Sequence, residues 1–151
     1  MTQEDKDLLL KYLCMALPYG VIVDYKESEF ETPHWRITTI YPTSLDGWIG
    51  YDERIGVGSK SGSRPFEVGQ YKPYLRPMQS MTEEEKTYIK NRWGVNEFGD
   101  IEIEDNCNLV DLSDIRYFID WLNKNMFDYR GLIEKGLALE ALEGMYDLKE
   151  K

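Results

Sequence analysis

The pattern of apolar and polar positions divides this chain of 151 residues into a strand-rich first part and a helix-rich second part. It opens with a helical pattern from Thr2 to Leu17, in which Thr2 is the N-cap and Asp5 stands at the capping-box position. Pro18 ends this helix. Its apolar stripe consists of Leu9, Leu13, Ala16 and Leu17, widened by Leu10 and Cys14. We therefore expect an amphipathic helix that packs on the core.

Short segments rich in β-branched and aromatic residues follow the first helix. The predicted strands run from Val21 to Lys26, from Trp35 to Tyr41, from Trp48 to Glu53 and from Phe66 to Tyr74. Gly50 predicts a bulge or tight bend in the third strand, and the glycine- and serine-rich residues 56–63 predict a hairpin loop. This pattern predicts a small, curved antiparallel sheet, for which an SH3-like barrel is the preferred form.

A stiff connector from Tyr71 to Glu85 separates the strands from the helices. Pro73 and Pro77 have a fixed φ angle, and each keeps the residue before it out of the α region. The connector is therefore predicted to be extended. At its end Thr82 begins a second helix, which runs to Trp93, and Glu85 is placed to complete the capping box.

The most regular apolar stripe of the chain predicts a third helix. It consists of Leu112, Ile115, Ile119, Leu122 and Met126. Asp111 or Ser113 is the expected N-cap. Because Ile119 lies at the centre of the stripe, we expect it to be buried, and its truncation to alanine to cost about 2–5 kcal/mol.

Three shorter elements complete the predicted second half. The alternating residues from Asp100 to Glu104 predict a strand with one wet face. Asp128 is expected to cap a short helix that reaches Lys135, and residues 137–141 predict a strand. The predicted fold class is α+β, with an N-terminal helix, a small curved sheet and a helical C-terminal half. We expect residues 1–80 and 81–151 to be two regions of one compact unit.

Composition argues against disorder, and the charge distribution makes one half of the chain strongly acidic. Hydrophobic residues make up 42% of the chain and aromatic residues 13%, which is enough for a core. The net charge is −10. Residues 1–80 carry 11 acidic and 9 basic side chains, whereas residues 81–151 carry 17 acidic and 9 basic ones. A surface that binds duplex nucleic acid is therefore not expected in the second half.

Segments that would place the protein in or across a membrane are not expected. No apolar run reaches the ~18 residues of a membrane span, and residues 1–11 are too polar and mixed in charge for a secretory signal. Cys14 and Cys107 stand far apart without metal-binding spacing, so we expect two buried free thiols in a reducing compartment. These features favour a cytoplasmic protein.

The side chains that common catalytic and metal sites require are scarce. His34 is the only histidine. The two cysteines do not have the spacing of a zinc site. A Ser-His-Asp triad is not expected either, because the sequence lacks the Gly-x-Ser-x-Gly turn that presents a nucleophilic serine. Residues 56–62 have the wrong order for a phosphate-binding loop. Asp100, Glu102 and Glu104 share a strand face that can hold Mg²⁺ in principle, but a wet strand face is the favoured interpretation. We therefore assign no catalytic residue, no metal and no cofactor.

One basic and aromatic stretch opposes the acidic trend. It contains Arg54, Lys60, Arg64, Lys72 and Arg76, interleaved with Phe66, Tyr71 and Tyr74. The candidate binding residues are Arg64, Lys72, Tyr74 and Arg76. They fit a small barrel that binds single-stranded nucleic acid with a basic groove and stacking rings. In the preferred alternative, Tyr74 and Leu75 anchor the connector to the core. Lys72 and Arg76 then pair with acids of the second half.

Two blocks of the sequence resemble a known family. Residues 72–85 read KPYLRPMQSMTEEE, which is similar to a KPYLRPMSSMTEEE block, and residues 127–146 are similar to an FDYRGLIEKGLALEAPEGMY block. Residues 17–21 match a weaker third element, while Gln79 and Leu142 depart from the usual serine and proline. The chain thus resembles a family of small proteins from gut Bacteroides phages and mobile elements. The resemblance implies an intracellular accessory protein and carries over no catalytic residue.

These observations favour a protein that binds other proteins over an enzyme. Scarce catalytic side chains and many aromatic residues fit a non-enzymatic binding or adaptor protein of a phage or mobile element, which contacts a host or phage protein. One alternative is an acidic decoy that mimics nucleic acid through its second half. Another is a small barrel that binds single-stranded nucleic acid. We expect a protein partner and no membrane association, with nucleic acid as the less favoured partner.

Overall fold

The computed structural model describes residues 1–27, 35–51, 62–94 and 112–146, without the side chains of residues 112–114. Several predicted features lie outside the described residues, namely His34, Arg54, Lys60, Cys107, Asp111, residues 56–61 and the strand of residues 100–104. Within the described residues the predicted α+β fold is confirmed. It has an N-terminal helix, a curled antiparallel sheet of four strands and helices in its C-terminal half.

The first helix, α1, spans Gln3–Ala16 and has the predicted capping box at its start. The Thr2 hydroxyl accepts a hydrogen bond from the Asp5 N–H, and the Asp5 carboxylate accepts one from the Thr2 N–H. These bonds hold the pKa of Asp5 below its usual value. Its buried residues are Leu9, Tyr12, Leu13 and Ala16. The prediction of a buried thiol at Cys14 is wrong, since this exposed residue is turned about 100° away from its buried neighbour.

Four antiparallel strands form the sheet in the order β1-β2-β3-β4. They are β1 (Ile22–Val23), β2 (Trp35–Tyr41), β3 (Asp46–Tyr51) and β4 (Ser63–Glu67). The sheet is curled into a half-barrel. The prediction of one strand from Phe66 to Tyr74 is wrong, because a turn follows β4. Gly69 has a φ of 97° there, a conformation that glycine adopts without the strain other residues would meet.

The irregular position of the sheet lies in β2 instead of at Gly50. The register between β2 and β3 shifts between Ile37 and Thr39, and such a bulge increases the local twist. Gly50 keeps a regular pairing with Arg36. A glycine is required at Gly47, where an added Cβ would clash with the Thr39 carbonyl oxygen. The curled sheet thus depends on the close approach of β2 and β3 at this point.

The predicted extended connector is confirmed up to Arg76, and later parts of the chain hold it in place. Tyr74–Leu75 forms β5, which pairs in parallel with β6, Leu139–Glu140, inside the predicted strand of residues 137–141. The Arg76 N–H donates to the Met126 carbonyl at 2.7 Å, and the Arg76 carbonyl accepts from the Asp128 N–H at 2.8 Å. The connector is therefore bonded to two separate later segments.

Helix α2 spans Glu83–Trp93 and confirms the predicted start and end. Thr82 and Glu85 form its capping box. Gly94 ends the helix in the left-handed conformation, with a φ of 67°, and donates its N–H to the Lys90 carbonyl. A short 3-10 turn at Met78–Ser80, which the sequence did not predict, precedes the helix.

Helix α3 spans Leu112–Lys124, so Ser113 lies inside the helix and is not its N-cap. The prediction that Ile119 is buried at the centre of the stripe is wrong. Ile119 is half-buried and Ile115 is 43% exposed, whereas Leu122 is buried. Periodicity identifies the apolar face of a helix, but within the described ranges only the C-terminal end of that face is fully buried.

The predicted helix from Asp128 to Lys135 is also wrong, because these residues form a series of turns. Asp128 does act as a cap. Its carboxylate oxygens accept hydrogen bonds from the N–H groups of Leu132 and Ile133 at 2.8 and 3.0 Å. Gly131 has a φ of 72°, which lies outside the α region and prevents a continuous helix.

Two hydrophobic clusters are present among the described residues. The sheet cluster combines α1, the four-stranded sheet and β5 with Met126, Leu132, Leu137, Ala138 and Tyr146. The helix cluster consists of Met81, Ile89, Trp93, Leu122 and Phe127. Residues before and after position 80 thus share the sheet cluster. None of the helices in the described ranges is long and apolar enough to cross a bilayer.

Candidate binding site

Arg64, the first of the four predicted binding residues, lies on β4, where it forms an ion pair and contacts an aromatic ring. Its Nη2 donates to Oε1 of Glu27 at 2.6 Å, and its Cζ lies 5.5 Å from the centroid of the Trp35 ring. A hydrogen bond with Tyr25 and the charge of Glu27 raise the pKa of Arg64. The guanidinium is therefore a permanent charge next to a ring of the sheet cluster.

Arg76 is bound to the start of α2. Its Nη1 and Nη2 donate to the two carboxylate oxygens of Glu85 at 3.0 and 2.6 Å, and its Cζ lies 4.2 Å from the centroid of the Phe127 ring. Burial raises the pKa of Glu85, but hydrogen bonds from Arg76 and from the Thr82 N–H outweigh burial, so the pKa lies below its usual value. This geometry confirms the interpretation in which Arg76 pairs with an acid of the second half.

Tyr74 and Lys72 hold the connector to the rest of the protein. Tyr74 is only 8% exposed, and its carbonyl accepts a hydrogen bond from the Tyr146 hydroxyl at 2.6 Å. Leu75 beside it is fully buried. The backbone N–H of Lys72 donates to the Asp24 carboxylate at 2.8 Å. Tyr74 and Leu75 thus anchor the connector to the core, as the preferred alternative predicts.

The two predicted arginines belong to different surroundings. Arg64 contacts a ring of the sheet cluster, and Arg76 contacts a ring of the helix cluster. Stacking of a base on Tyr74 would require this ring to leave the core. Binding of single-stranded nucleic acid through these residues stays a prediction.

A cleft between α2 and α3 is a different candidate, which the sequence analysis did not identify. Its volume is about 210 Å³. Its lining consists of Tyr19 from the turn after α1, Tyr88, Arg92 and Trp93 from α2, and Tyr117, Asp120, Trp121 and Lys124 from α3. We call it the aromatic cleft, because tyrosine and tryptophan form most of its lining.

The rings of the aromatic cleft support one another. The Tyr88 ring stacks on the Trp121 ring, with 5.7 Å between centroids and 25° between planes. It meets the Trp93 ring edge-on at 5.6 Å, an arrangement that aromatic pairs prefer. Trp93 is buried, whereas Tyr88 and Tyr117 are 47% and 49% exposed. The cleft therefore has a buried aromatic base, an exposed aromatic rim and a preformed shape.

Each of the two helices contributes an aromatic side chain and a cation one turn apart. On α2, Arg92 follows Tyr88 at i+4, and on α3, Lys124 follows Trp121 at i+3. Residues at these spacings share a helix face. Among the described lining residues Asp120 is the single acid. The described lining thus contains two basic side chains and one acidic side chain.

The lining offers ring faces, hydrogen-bond donors and two cations. The buried indole N–H of Trp93 donates to no acceptor among the residues that the structure describes. Within the same ranges, no group of His, Cys, Asp and Glu side chains is arranged to hold a metal ion. The ring faces of the cleft are suited to pack against an apolar or flat group.

The sequence contains a signal for this cleft. Tyr117, Trp121 and Lys124 follow one another at i, i+4 and i+7 and therefore share one face of α3. The predicted stripe through Ile115 and Ile119 lies on another face of the helix. The pairing of α2 with α3 depends on tertiary contacts, which periodicity does not contain.

Comparisons of the chain with known proteins returned no match. No family model, no curated protein and no solved structure matches it. The resemblance to the phage and mobile-element family therefore stays a prediction.

Proposed function

We propose that the protein is a non-enzymatic binding or adaptor protein of a phage or mobile element, and that it holds a host or phage protein at the aromatic cleft. The observation that supports this proposal is the cleft itself, where Tyr88 and Tyr117 are each about half exposed. Large apolar side chains grouped at a surface are a common mark of an interaction site.

The residue types of the cleft are those that carry binding energy in protein interfaces. Tyrosine, tryptophan and arginine are enriched there and dominate the positions where truncation weakens binding most. Aromatic side chains have few rotatable bonds, so ordering them in a complex costs little entropy. The stack of Tyr88 on Trp121 lowers this cost further, because the two rings already hold each other in place.

The size of the cleft favours one side chain of a partner protein over an enclosed small molecule. Its volume of about 210 Å³ is below the roughly 300–1,000 Å³ of clefts that enclose drug-sized ligands. A central pocket that takes one anchoring side chain, with polar groups around it, is a common layout of protein interfaces. Arg92, Asp120 and Lys124 supply such polar groups here.

Site-specific crosslinking tests the proposal. Tyr117 is replaced by the photoreactive p-benzoylphenylalanine, and Tyr41 is replaced in a matched control. Tyr41 is 50% exposed, like the cleft tyrosines, but it lies on β2. Each purified protein is irradiated in a lysate of Bacteroides cells. We expect position 117 to give a protein adduct that position 41 does not give.

A competition experiment then tests whether the adduct forms at the cleft. Excess unmodified protein and the Tyr41→Ala variant should both suppress the adduct, whereas the Tyr88→Ala variant should not. Circular dichroism confirms that the variants are folded. The proposal fails if position 117 gives no adduct, if both positions give the same adduct, or if folded Tyr88→Ala competes as well as the unmodified protein.

A further inference from the structure

An exposed methionine joins the end of α1 to the turns of residues 128–135. Met15 lies in the last turn of α1 and is 37% exposed. Its sulfur accepts a hydrogen bond from Nη2 of Arg130 at 3.1 Å. We propose that Met15 is a methionine oxidation site and that Arg130 binds the sulfoxide formed there. This inference goes beyond the proposed function, because neither residue belongs to the described lining of the aromatic cleft.

Arg130 has more donor capacity than the methionine satisfies. A thioether sulfur is a weak acceptor, whereas a guanidinium offers several N–H donors in a rigid fork. The Nε–H of Arg130 is buried and donates to no acceptor within the described residues. In the same ranges no carboxylate forms an ion pair with this side chain. A buried donor without an acceptor costs free energy, so this position favours a stronger acceptor than sulfur.

A sulfoxide oxygen at Met15 would supply that acceptor. The N–H groups of Nε and Nη2 lie along one edge of a guanidinium and can donate to the same group in parallel. The Met15 sulfur already lies at Nη2 of Arg130, so an oxygen bonded to the sulfur lies beside this edge. A methionine side chain is unbranched and has three rotatable bonds. It can therefore make the small movement that the added oxygen requires.

Tyr129, the other donor near the sulfur, is already committed to another acceptor. Its hydroxyl oxygen lies 4.0 Å from the Met15 sulfur, but it donates to Oδ1 of Asn123 at 2.9 Å. A phenol has a single O–H to donate, so the shorter bond takes it. The Tyr129 ring also lies 5.5 Å from Cζ of Arg130, measured to the ring centroid. Arg130 is therefore the donor that serves the sulfoxide, and Tyr129 supports its position.

The oxidation requires a peroxide as its second reactant. A lone pair of the Met15 sulfur attacks one oxygen of hydrogen peroxide, and the S–O bond forms as the O–O bond breaks. The hydroxide that leaves takes the proton of the transferred oxygen and departs as water. The sulfur is oxidised and the peroxide is reduced. Methionine sulfoxide reductases reverse this modification.

The Arg130 contact predicts an unusual consequence of the oxidation. Methionine sulfoxide is more polar than methionine and commonly disrupts the packing around it. At Met15 the added oxygen instead replaces a weak acceptor of Arg130 by a strong one, so oxidation should tie the turns of residues 128–135 more firmly to α1. Met81 and Met126 are 4% and 0% exposed, so the folded protein should protect them from the oxidant.

Treatment of the purified protein with hydrogen peroxide tests both parts of the inference. Mass spectrometry of peptides should show that Met15 is oxidised roughly tenfold or more faster than Met81 and Met126. Met15→Leu is treated in the same way as a matched control, because effects of peroxide on the other methionines and on the cysteines occur in both proteins. The change in Tm on oxidation should be about 2–4 °C more positive in the wild-type protein than in Met15→Leu.

The Nε–H of Arg130 can also be followed directly by NMR. Its signal in a proton–nitrogen spectrum is assigned through its bonds to the rest of the side chain. Oxidation of the wild-type protein should move the proton signal downfield and slow its exchange with water, because the group gains an acceptor. The same treatment of Met15→Leu should leave the signal in place.

A substitution that imitates the sulfoxide avoids peroxide altogether. Met15→Gln places an amide oxygen near the position of the sulfoxide oxygen, and Met15→Leu is the matched apolar variant, since both residues favour helices. Arg130→Lys keeps the charge but removes the fork of parallel donors. The Tm of Met15→Gln relative to Met15→Leu should be about 2–4 °C higher with Arg130 than with Arg130→Lys.

Four results would overturn the inference. These are equal oxidation rates of Met15 and the buried methionines in the folded protein, a Tm change on oxidation that is no more positive than in Met15→Leu, an Arg130 Nε–H signal that oxidation does not move, and no coupling between positions 15 and 130 in the variants. Circular dichroism confirms that each variant is folded. The first three results decide the matter even if Arg130→Lys does not fold.

Discussion

The sheet cluster and the helix cluster use the same residue types in different ways. In the sheet cluster, Trp35 is buried, and the rings of Tyr25 and Tyr51 meet it edge-on at 4.9 and 5.5 Å. In the helix cluster, Trp93 is buried with similar geometry, but the Tyr88 ring that meets it remains about half exposed. Aromatic rings thus surround the buried tryptophan of one cluster, whereas in the other cluster one of the contacting rings remains exposed.

The clusters also differ in size. Nineteen described residues form the buried part of the sheet cluster, against five in the helix cluster. Segments with fewer buried apolar contacts open locally at a lower free energy. Truncations in the sheet cluster should therefore cost more than truncations on the faces of α2 and α3.

The largest effect is expected inside the sheet cluster. Leu75→Ala truncates a fully buried side chain of the connector, and we expect the free energy of unfolding to fall by about 2–5 kcal/mol. Ile119→Ala should cost less than half as much, because Ile119 is half-buried. Urea unfolding followed by circular dichroism measures both changes. A greater loss from Ile119→Ala would show that α3, and not the connector, is the centre of the fold.

The second effect concerns a buried hydroxyl of the sheet cluster. The Tyr146 hydroxyl accepts from the Ile22 N–H at 3.1 Å and donates to the Tyr74 carbonyl at 2.6 Å. Tyr146→Phe leaves both backbone groups unpaired, so we expect a loss of about 1–3 kcal/mol in the same unfolding assay. Tyr41→Phe at an exposed position is the control and should be neutral. Equal effects of the two variants would contradict a role for these bonds.

Alkaline pH should lower the free energy of unfolding through the same hydroxyl. Burial raises the pKa of Tyr146 above its usual value of 10.0. The fold therefore favours the protonated hydroxyl, and this contribution is complete below about pH 10 and is lost as the pH rises toward the folded pKa. Between about pH 8 and pH 11 the free energy of unfolding should fall less in Tyr146→Phe than in the unmodified protein. If the free energy of unfolding fell equally in the variant and the unmodified protein, the Tyr146 hydroxyl would be excluded as the cause of the alkaline destabilisation.

A smaller effect is expected where the connector meets the helix cluster. Glu85→Gln removes the charge that Arg76 binds but keeps a capping side chain, and it should cost about 1–2 kcal/mol. Glu84→Gln, at an exposed position of the same helical turn, is the matched control. Because the folded pKa of Glu85 is lowered, its contribution is present above about pH 4.5 and is lost as the pH falls through the folded pKa. The difference between wild type and variant should therefore shrink in acid, and a constant difference would contradict the ion pair as its cause.

The smallest effect on stability is expected at the rim of the aromatic cleft. Tyr117→Ala should change the free energy of unfolding by less than about 0.5 kcal/mol, because the ring is 49% exposed. The same variant should no longer compete for the crosslinked partner. A large loss of stability would place Tyr117 in the core and remove it from the binding surface.

Signals contained within a few neighbouring residues predict structure well in this chain. The capping boxes at Thr2 and Thr82 act between residues three positions apart. Pro73 and Pro77 restrict their own backbone and that of the preceding residue. These signals do not depend on the rest of the protein, so the sequence predicts the starts of α1 and α2 and the extended connector.

Features that depend on distant partners cannot be predicted in this way. The period of α3 identifies the face that contains Ile119 but not what covers it. The aromatic cleft exists only because α2 and α3 lie side by side. The Tyr146 hydroxyl bonds to residues 72 and 124 positions away in the sequence. No local pattern carries this information.

The parallel pairing of β5 with β6 has a consequence for synthesis of the protein. Tyr74 pairs with Leu139, so the connector leaves the ribosome long before its partner strand does. Closing so long a loop is entropically costly and slow. Until then the apolar side chains of Tyr74 and Leu75 are open to other nascent chains. The two prolines of the connector lack the backbone N–H groups that pairing with a wrong strand would need. Folding of the nascent chain is therefore completed by residues that are translated late.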